Sequence, residues 1–244
     1  MEKPWVTGPR ELLRHGLEHM RLGTDFDKRL AMISIDNAVE LMIKTYLGLP
    51  SRITGVRIGR RRLQAMSETF PDLLDALEEH ASDKIAGTGI SLNSIQFFHQ
   101  LRNRLYHDGN GITVEEQKLA SYAEIAVMLF GSLFDVSIED MERVVQSSSV
   151  GELVRKWAVL EQTLKKLVES RVPGYSQDAR TPIASIAILS WTDELPSDIA
   201  SQVQALYRFR NDLLHGQATL PTQEVKKRNF SKTRGAVTSP RCRA

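Results

Sequence analysis

The chain is poor in the residues and patterns that mark several large classes of protein. Its single cysteine, Cys242, excludes an internal disulfide framework and a zinc site built on cysteines. No apolar run approaches the ~20 residues that a membrane-spanning helix needs, and the first residues lack the apolar core of a signal peptide. Convincing strand alternation is missing as well. We therefore expect a cytoplasmic, all-α protein that uses no membrane, no cofactor and no metal.

The charge of the chain is unevenly distributed. Residues 226–244 contain seven basic side chains and no acid, whereas the whole chain has a formal charge of only +2. The first 225 residues therefore carry a net charge of −5, so a uniformly basic surface for nucleic acid is excluded and any such binding must be local. The basic tail also has too little apolar surface to offset its ordering entropy, which predicts disorder.

The most informative feature is a repeated pattern, Arg-Asn-x-Leu-x-His. A single offset of 108 residues relates its polar members, which are Arg102, Asn103 and His107 in the first copy and Arg210, Asn211 and His215 in the second. The asparagine and histidine of each copy are four residues apart, so they lie on one face of a helix, one turn from each other. A repeat with three polar identities in register predicts two related helical units.

Hydrophobic periodicity and capping signals predict helices around both copies. The first motif helix is expected to begin after Ser91 and run to Asp108, and the second to run from Ser197 to His215. A capping-box pattern at 113–116 predicts the next helix. A polar break of small residues at 147–149 marks a boundary. The expected organisation is a first domain at 1–146, a second, shorter domain at 147–225 and the basic tail at 226–244.

A long helix predicted at 25–48 carries Glu40 and Lys44, and the second half carries Glu161 and Lys165 in a similar stretch. The members of each pair are four residues apart. This spacing suits a plain ion pair on a helix surface. It suits equally a pair that supports the motif and orients its arginine. The sequence leaves both interpretations open.

Residues 51–62 are rich in glycine and arginine and are predicted to form a loop. The candidate RNA-binding side chains of this region are Arg57, Arg60, Arg61 and Arg62. A phosphate-contacting arm is one interpretation, and an ordinary solvated insertion is the other.

One further pattern points to metal chemistry. The segment His15-Gly16-Leu17-Glu18-His19 matches the zinc-peptidase pattern H-x-x-E-H. Because Gly16 weakens a helix and no third ligand is marked downstream, we favour a solvated helix face over a zinc site.

The repeated Arg-Asn-x-x-x-His at a helix end, with an upstream helix that carries glutamate, resembles the HEPN superfamily. Members of this superfamily are small α-helical bundles, and many are metal-independent ribonucleases of toxin–antitoxin, phage-defence and RNA-processing systems. The resemblance covers most of residues 9–225. It implies tandem bundles whose two motifs meet across a pseudo-twofold interface and form one composite site.

The resemblance implies an endoribonuclease that cleaves RNA by attack of the adjacent 2′-hydroxyl. His107 and His215 would divide the roles of base and acid, and Arg102 and Arg210 would stabilise the pentacoordinate phosphate. The asparagines would orient their neighbours. Expected partners are RNA, an antitoxin or another defence-system protein, and a second copy of the chain. A non-catalytic RNA- or nucleotide-binding module and a helical docking module remain alternatives.

Overall fold

The computed structural model describes residues 3–107, 113–136, 149–179, 181–214 and 217–218. Every regular element in these ranges is a helix, which confirms the all-α prediction. The α-helices are α1 (Thr7–Leu22), α2 (Asp25–Gly48), α3 (Ser51–Thr54), α4 (Arg60–Met66), α5 (Phe70–Ile85), α6 (Leu92–His107), α7 (Glu116–Phe134), α8 (Ser149–Arg171), α9 (Pro182–Trp191) and α10 (Ser197–Leu214). Each helix within those ranges is too short or too polar to cross a membrane.

Threonine side chains begin several of these helices. Thr24 Oγ1 accepts a hydrogen bond from the Asp27 amide at 3.1 Å at the start of α2. Thr69 and Thr181 make the same contact at the starts of α5 and α9, where a proline follows within two residues. Such caps satisfy amide groups that the helix cannot pair internally, and proline tolerates the first turn because its missing N–H is not needed there. The starting points of these three helices are therefore fixed by the local sequence.

Helix α2 is the centre of the fold, because α1, α5, α6 and α7 all pack against it. Its buried side chains include Ile35, Val39, Met42 and Ile43, each fully removed from solvent. One core covers the first half and takes side chains from all five of these helices. This packing explains why α2 is apolar around most of its circumference, unlike a helix that lies on a protein surface.

The two-residue connection between α1 and α2 produces a helical hairpin with very close packing at Gly16. A Cβ atom at that position would lie 2.7 Å from Ile35 Cγ1, 3.1 Å from the Ile35 backbone nitrogen and 3.3 Å from the Ala31 carbonyl oxygen. The glycine that weakens the zinc-site interpretation is therefore a packing residue. His19, one turn further along, places Nδ1 2.8 Å from Asp27 Oδ1 across the turn, and no metal-binding cluster of three ligands occurs among the described residues.

The second half is built on α8, α9 and α10, and it has only a small core of its own. That cluster contains Leu164, Val168, Ile186 and Leu189. By contrast, Val154 of α8 and Leu213 and Leu214 of α10 belong to the large core of the first half. The two halves are thus continuous through apolar packing, while tandem bundles related by a pseudo-twofold axis remain a prediction.

Some local predictions were wrong. The segment 51–62 is not a continuous loop, because residues 51–54 and the residues from Arg60 onward are helical; only 55–59 connect them. The capping box at 113–116 does not form, since α7 begins at Glu116 and its N-cap residue is Glu115, with no side-chain cap. Asp108, His215, the centre of the proposed domain boundary and the basic tail lie outside the described residues.

We predict that Gly16→Ala lowers the thermal stability although alanine favours a helix over glycine by about 1 kcal/mol. The new Cβ meets backbone atoms of α2, and overpacking of this kind costs roughly 1–3 kcal/mol. The control is Gly8→Ala in the same helix, where the nearest atom to a Cβ is Leu41 Cδ2 at 3.7 Å. Thermal unfolding should show a lower midpoint for Gly16→Ala and an equal or higher one for Gly8→Ala. Equal midpoints for both variants would contradict close packing at Gly16.

Candidate functional site

The first motif is anchored on a carboxylate that the sequence did not single out. Asp36 of α2 is 0% exposed and accepts contacts from two other helices. Arg102 Nε donates to Asp36 Oδ2 at 2.7 Å, and the Tyr122 hydroxyl of α7 donates to Oδ1 at 2.7 Å. His99 Nδ1 lies 3.0 Å from Oδ2. Because a buried charge is tolerated only when it is paired and hydrogen-bonded, this cluster fixes α2, α6 and α7 to one another.

The remaining contacts of Arg102 fix the plane of its guanidinium. Nη1 donates to Asn103 Oδ1 at 2.9 Å and Nη2 donates to Asn37 Oδ1 at 3.2 Å. A guanidinium has five N–H groups, so three are engaged by protein and two have no acceptor among the described residues. The arginine is therefore held rigidly while keeping donors for a further oxygen-rich group.

Helix α6 presents a polar face of four side chains at its last turns. Arg102 and Tyr106 are four residues apart, as are Asn103 and His107, so the four lie together on one side of the helix. Tyr106 is 69% exposed and His107 is exposed beside it, with ring centroids 5.7 Å apart. The fixed guanidinium thus lies on the same helix turns as an imidazole and an aromatic ring that solvent reaches.

The predicted pair of α2 forms and lies near this face. Lys44 Nζ is 2.6 Å from Glu40 Oε1, and Glu40 Oε2 is 3.8 Å from Arg102 Nη2. Both interpretations of the pair therefore agree with its position. Because Asp36 contacts the arginine at a much shorter distance, it is the principal partner and Glu40 is a secondary one.

The second motif repeats one contact of the first in a different setting. Arg210 Nη1 donates to Asn211 Oδ1 at 2.9 Å, the same bond at the same length as in the first copy. Its Nη2, however, donates to the backbone carbonyl of Gly89, between α5 and α6. Gly89 has φ of +76°, and a Cβ there would lie 3.2 Å from the Ala158 nitrogen, so only glycine brings this loop so close to α8.

Arg210 is buried, with 1% of its surface exposed. Burial lowers the pKa of Arg210 to about 10, although the charge of Glu161 acts in the opposite direction. Burial also raises the pKa of Glu161, against the influence of Arg210 and of a hydrogen bond from the Gly89 backbone. Glu161 therefore faces the second arginine from the long helix α8, as Glu40 faces the first from α2. Lys165 is half-buried and makes no ion pair with Glu161 in the described part of the chain.

The described residues do not bring the two arginines into one cleft. Arg210 lies against Gly89 and lines a cavity with Leu92, at the start of α6. Arg102 is ten residues further along the same helix, about 15 Å at the rise of an α-helix. No hydrogen bond or ion pair in the described ranges joins Arg102 or Asn103 to Arg210 or Asn211. His215 lies outside those ranges.

The predicted RNA-binding arginines are all exposed. Arg57 lies in the connection at 55–59, and the other three form the first turn of α4. Arg62 Nη2 is 2.6 Å from Glu79 Oε1, an exposed pair that contributes little to stability. Arg57, Arg60 and Arg61 make no ion pair within the described ranges, so these three remain available to an anionic partner.

Four residues of the site were not predicted from the sequence: Asp36, His99, Tyr122 and Tyr106. Asp36 is the one charged residue among the buried positions of α2. Its place in the apolar stretch of that helix was the signal, because a carboxylate on a buried face requires partners. His99 stacks on Phe70 with ring centroids 3.7 Å apart, which places it inside the packing and away from the exposed face.

We predict that Tyr122→Phe destabilises the protein by about 1–3 kcal/mol, because Asp36 Oδ1 loses its donor while remaining buried. The control Tyr106→Phe removes an exposed hydroxyl and should leave the midpoint of chemical denaturation unchanged.

Burial and the adjacent Asp36 raise the pKa of Tyr122 well above its usual range. The unfolded chain therefore releases this phenolic proton first, and stability is lost as the pH rises above about 10. The loss of stability with rising pH should be shallower in Tyr122→Phe than in the wild type. An identical alkaline decline in both proteins would contradict the contact.

Comparison of the chain with family models, with curated proteins and with solved structures gives no match.

Proposed function

We propose that the chain is a metal-independent endoribonuclease of the HEPN type whose reacting centre is built on Arg102, Asn103 and His107. The observation that carries this proposal is the guanidinium of Arg102, which buried Asp36 holds in place five residues before an exposed histidine of the same helix. A preorganised cation costs no reorganisation when negative charge develops on a reacting phosphate. Such an enzyme would act as a toxin or a phage-defence effector, with an antitoxin or defence-system protein as its partner.

The chemistry needs a base, an acid and a group that stabilises negative charge, and no metal. An imidazole removes the proton of a ribose 2′-hydroxyl, and the resulting oxygen attacks the adjacent phosphorus. The P–O bond to the 5′-oxygen breaks, and a second imidazole in its acid form protonates that oxygen. The products are a 2′,3′-cyclic phosphate and a 5′-hydroxyl. The two N–H groups that Arg102 retains would contact the non-bridging oxygens. Exposed Tyr106 would stack on a neighbouring base.

The reaction needs one group as base and another as acid, whereas the first motif has one exposed imidazole, that of His107. Arg210 lies against Gly89 and faces Glu161, and no hydrogen bond or ion pair among the described residues joins it to Arg102. We therefore place the second imidazole on the first motif of another copy of the chain, across the twofold pairing that the family resemblance implies. In this proposal the second motif stabilises the fold and contributes no reacting group.

One observation favours a non-catalytic RNA-binding module instead. The carboxylate of Asp36 already neutralises Arg102, which weakens its attraction for a phosphate. A binding module would use the same face, together with Arg57 and the arginines of α4, to hold RNA without cutting it.

We predict that the purified protein cleaves a mixed RNA pool in excess chelator and leaves 2′,3′-cyclic phosphate ends. His107→Ala should reduce the rate by ~10²–10⁴-fold, the range for one acid–base group. Arg102→Lys keeps the charge but loses the planar fork, and should lower kcat more than it raises KM. The matched controls are His15→Ala and Arg104→Lys, both at exposed positions. If the protein binds RNA but does not cleave it at any pH from 5 to 9, the RNA-binding module replaces the ribonuclease as the proposed function.

The pairing between copies gives a separate prediction. His215→Ala should keep most of the wild-type activity, and the specific activity of the wild type should fall on dilution as pairs dissociate. Kinetics over a hundredfold range of protein concentration, beside analytical ultracentrifugation, measure both effects. If His215→Ala is as inactive as His107→Ala and the specific activity does not depend on concentration, the composite site forms within one chain.

A further inference from the structure

A cavity of about 320 Å³ lies between the two halves of the chain and is distinct from the face of Arg102. Its walls come from the end of α5, the start of α6, α8, the start of α9 and α10. Arg210, Glu161, Trp157 and Tyr207 line it from the second half. This volume is at the small end of the range for ligand pockets.

The main polar feature of the cavity is an incompletely satisfied cation. Two nitrogens of Arg210 donate to Asn211 and to Gly89, but its buried Nε has no hydrogen-bond acceptor among the described residues. A buried donor without a partner costs roughly 1–3 kcal/mol. Because Arg210 is 1% exposed, bulk water compensates for little of this cost. Arg210 Nε therefore lacks a hydrogen-bond acceptor.

The backbone around the cavity favours negative charge in the same place. Leu92 and Asn93 at the start of α6, and Thr181 and Pro182 at the start of α9, all line it. These helices have 16 and 10 residues, and the N-terminus of a helix carries a partial positive charge. Two helix ends and Arg210 thus point to an anion as the missing acceptor.

Two acidic side chains limit how much negative charge the cavity accepts. Glu78 of α5 is exposed at its edge, where solvent screens it. Glu161 of α8 faces Arg210, and burial raises the pKa of its carboxyl group. A ligand with one negative charge balances Arg210 with less repulsion from these acids than a ligand with two. The electrostatics therefore favour a carboxylate over a phosphate monoester.

The apolar wall indicates the rest of the ligand. Trp157 and Tyr207 pack with ring centroids 5.7 Å apart at an angle of 49°. Flat aromatic groups pack well against such rings. We propose that the cavity binds a small aromatic carboxylate, with its carboxylate on Arg210 Nε and its ring against Trp157 and Tyr207. Such a ligand would join α6, α8 and α10, and would thus connect the two halves of the chain.

Nuclear magnetic resonance of the ¹⁵N-labelled full chain tests this proposal, with the Trp157 indole signal assigned by its loss in Trp157→Phe. Addition of 2-naphthoate should shift that signal in a saturable way, and neutral 2-naphthol should bind at least tenfold more weakly. Arg210→Lys, which keeps a charge but lacks Nε, should lose at least tenfold in naphthoate affinity. The matched control Arg208→Lys, at an exposed position of the same helix, should bind as the wild type does.

A second variant keeps the proposal testable if Arg210→Lys does not fold. Ser82→Phe adds a bulky ring to the cavity wall from an exposed position of α5 and should abolish binding, whereas Ser190→Phe on α9, outside the lining, should not. Equal affinity for naphthoate and naphthol, no saturable shift at 10 mM, or tighter binding of phenyl phosphate than of naphthoate would each overturn the proposal. None of these measurements depends on RNA cleavage, so they stand apart from the proposed ribonuclease.

Discussion

The buried carboxylate of Asp36 is the interaction on which the first half of the chain depends. It takes hydrogen bonds from α6 and α7 while belonging to α2, so three helices meet at one charge. Leaving a buried charge unpaired costs several kcal/mol, and the helices therefore cannot shift independently without that cost. The same constraint gives Arg102 one orientation. Structural stability and the geometry of the candidate site consequently rest on a single residue.

The two motifs show how one sequence pattern serves different surroundings. Both arginines bond to the following asparagine at 2.9 Å. The first is partly exposed and is held by a buried carboxylate, and the second is held by a backbone carbonyl inside the protein. A charged hydrogen bond to Asp36 compensates for the partial burial of Arg102. Arg210 makes no such hydrogen bond to a carboxylate within the described residues, and burial lowers its pKa to about 10.

Much of the helical structure could be predicted from the sequence, because it follows from local rules. The bounds of α2 and the starts of α9 and α10 follow from prolines and apolar spacing. The role of Asp36 could not be predicted, since its partners are 63 to 86 residues away along the chain. The helix at Arg60 was missed for a related reason, because its packing on α5 overrides the unfavourable charges of its first turn. The separation of the two arginines likewise depends on how the halves pack.

Leu213 and Leu214 close the second motif helix, yet their side chains lie in the core of the first half. Val154 does the same at the other end of the second half. The large core of the first half therefore extends into the second half, which also has a small core of its own. Neither half could be excised without exposing apolar surface on the other. We therefore expect both halves to unfold together, in one cooperative transition, in spite of the duplication in the sequence.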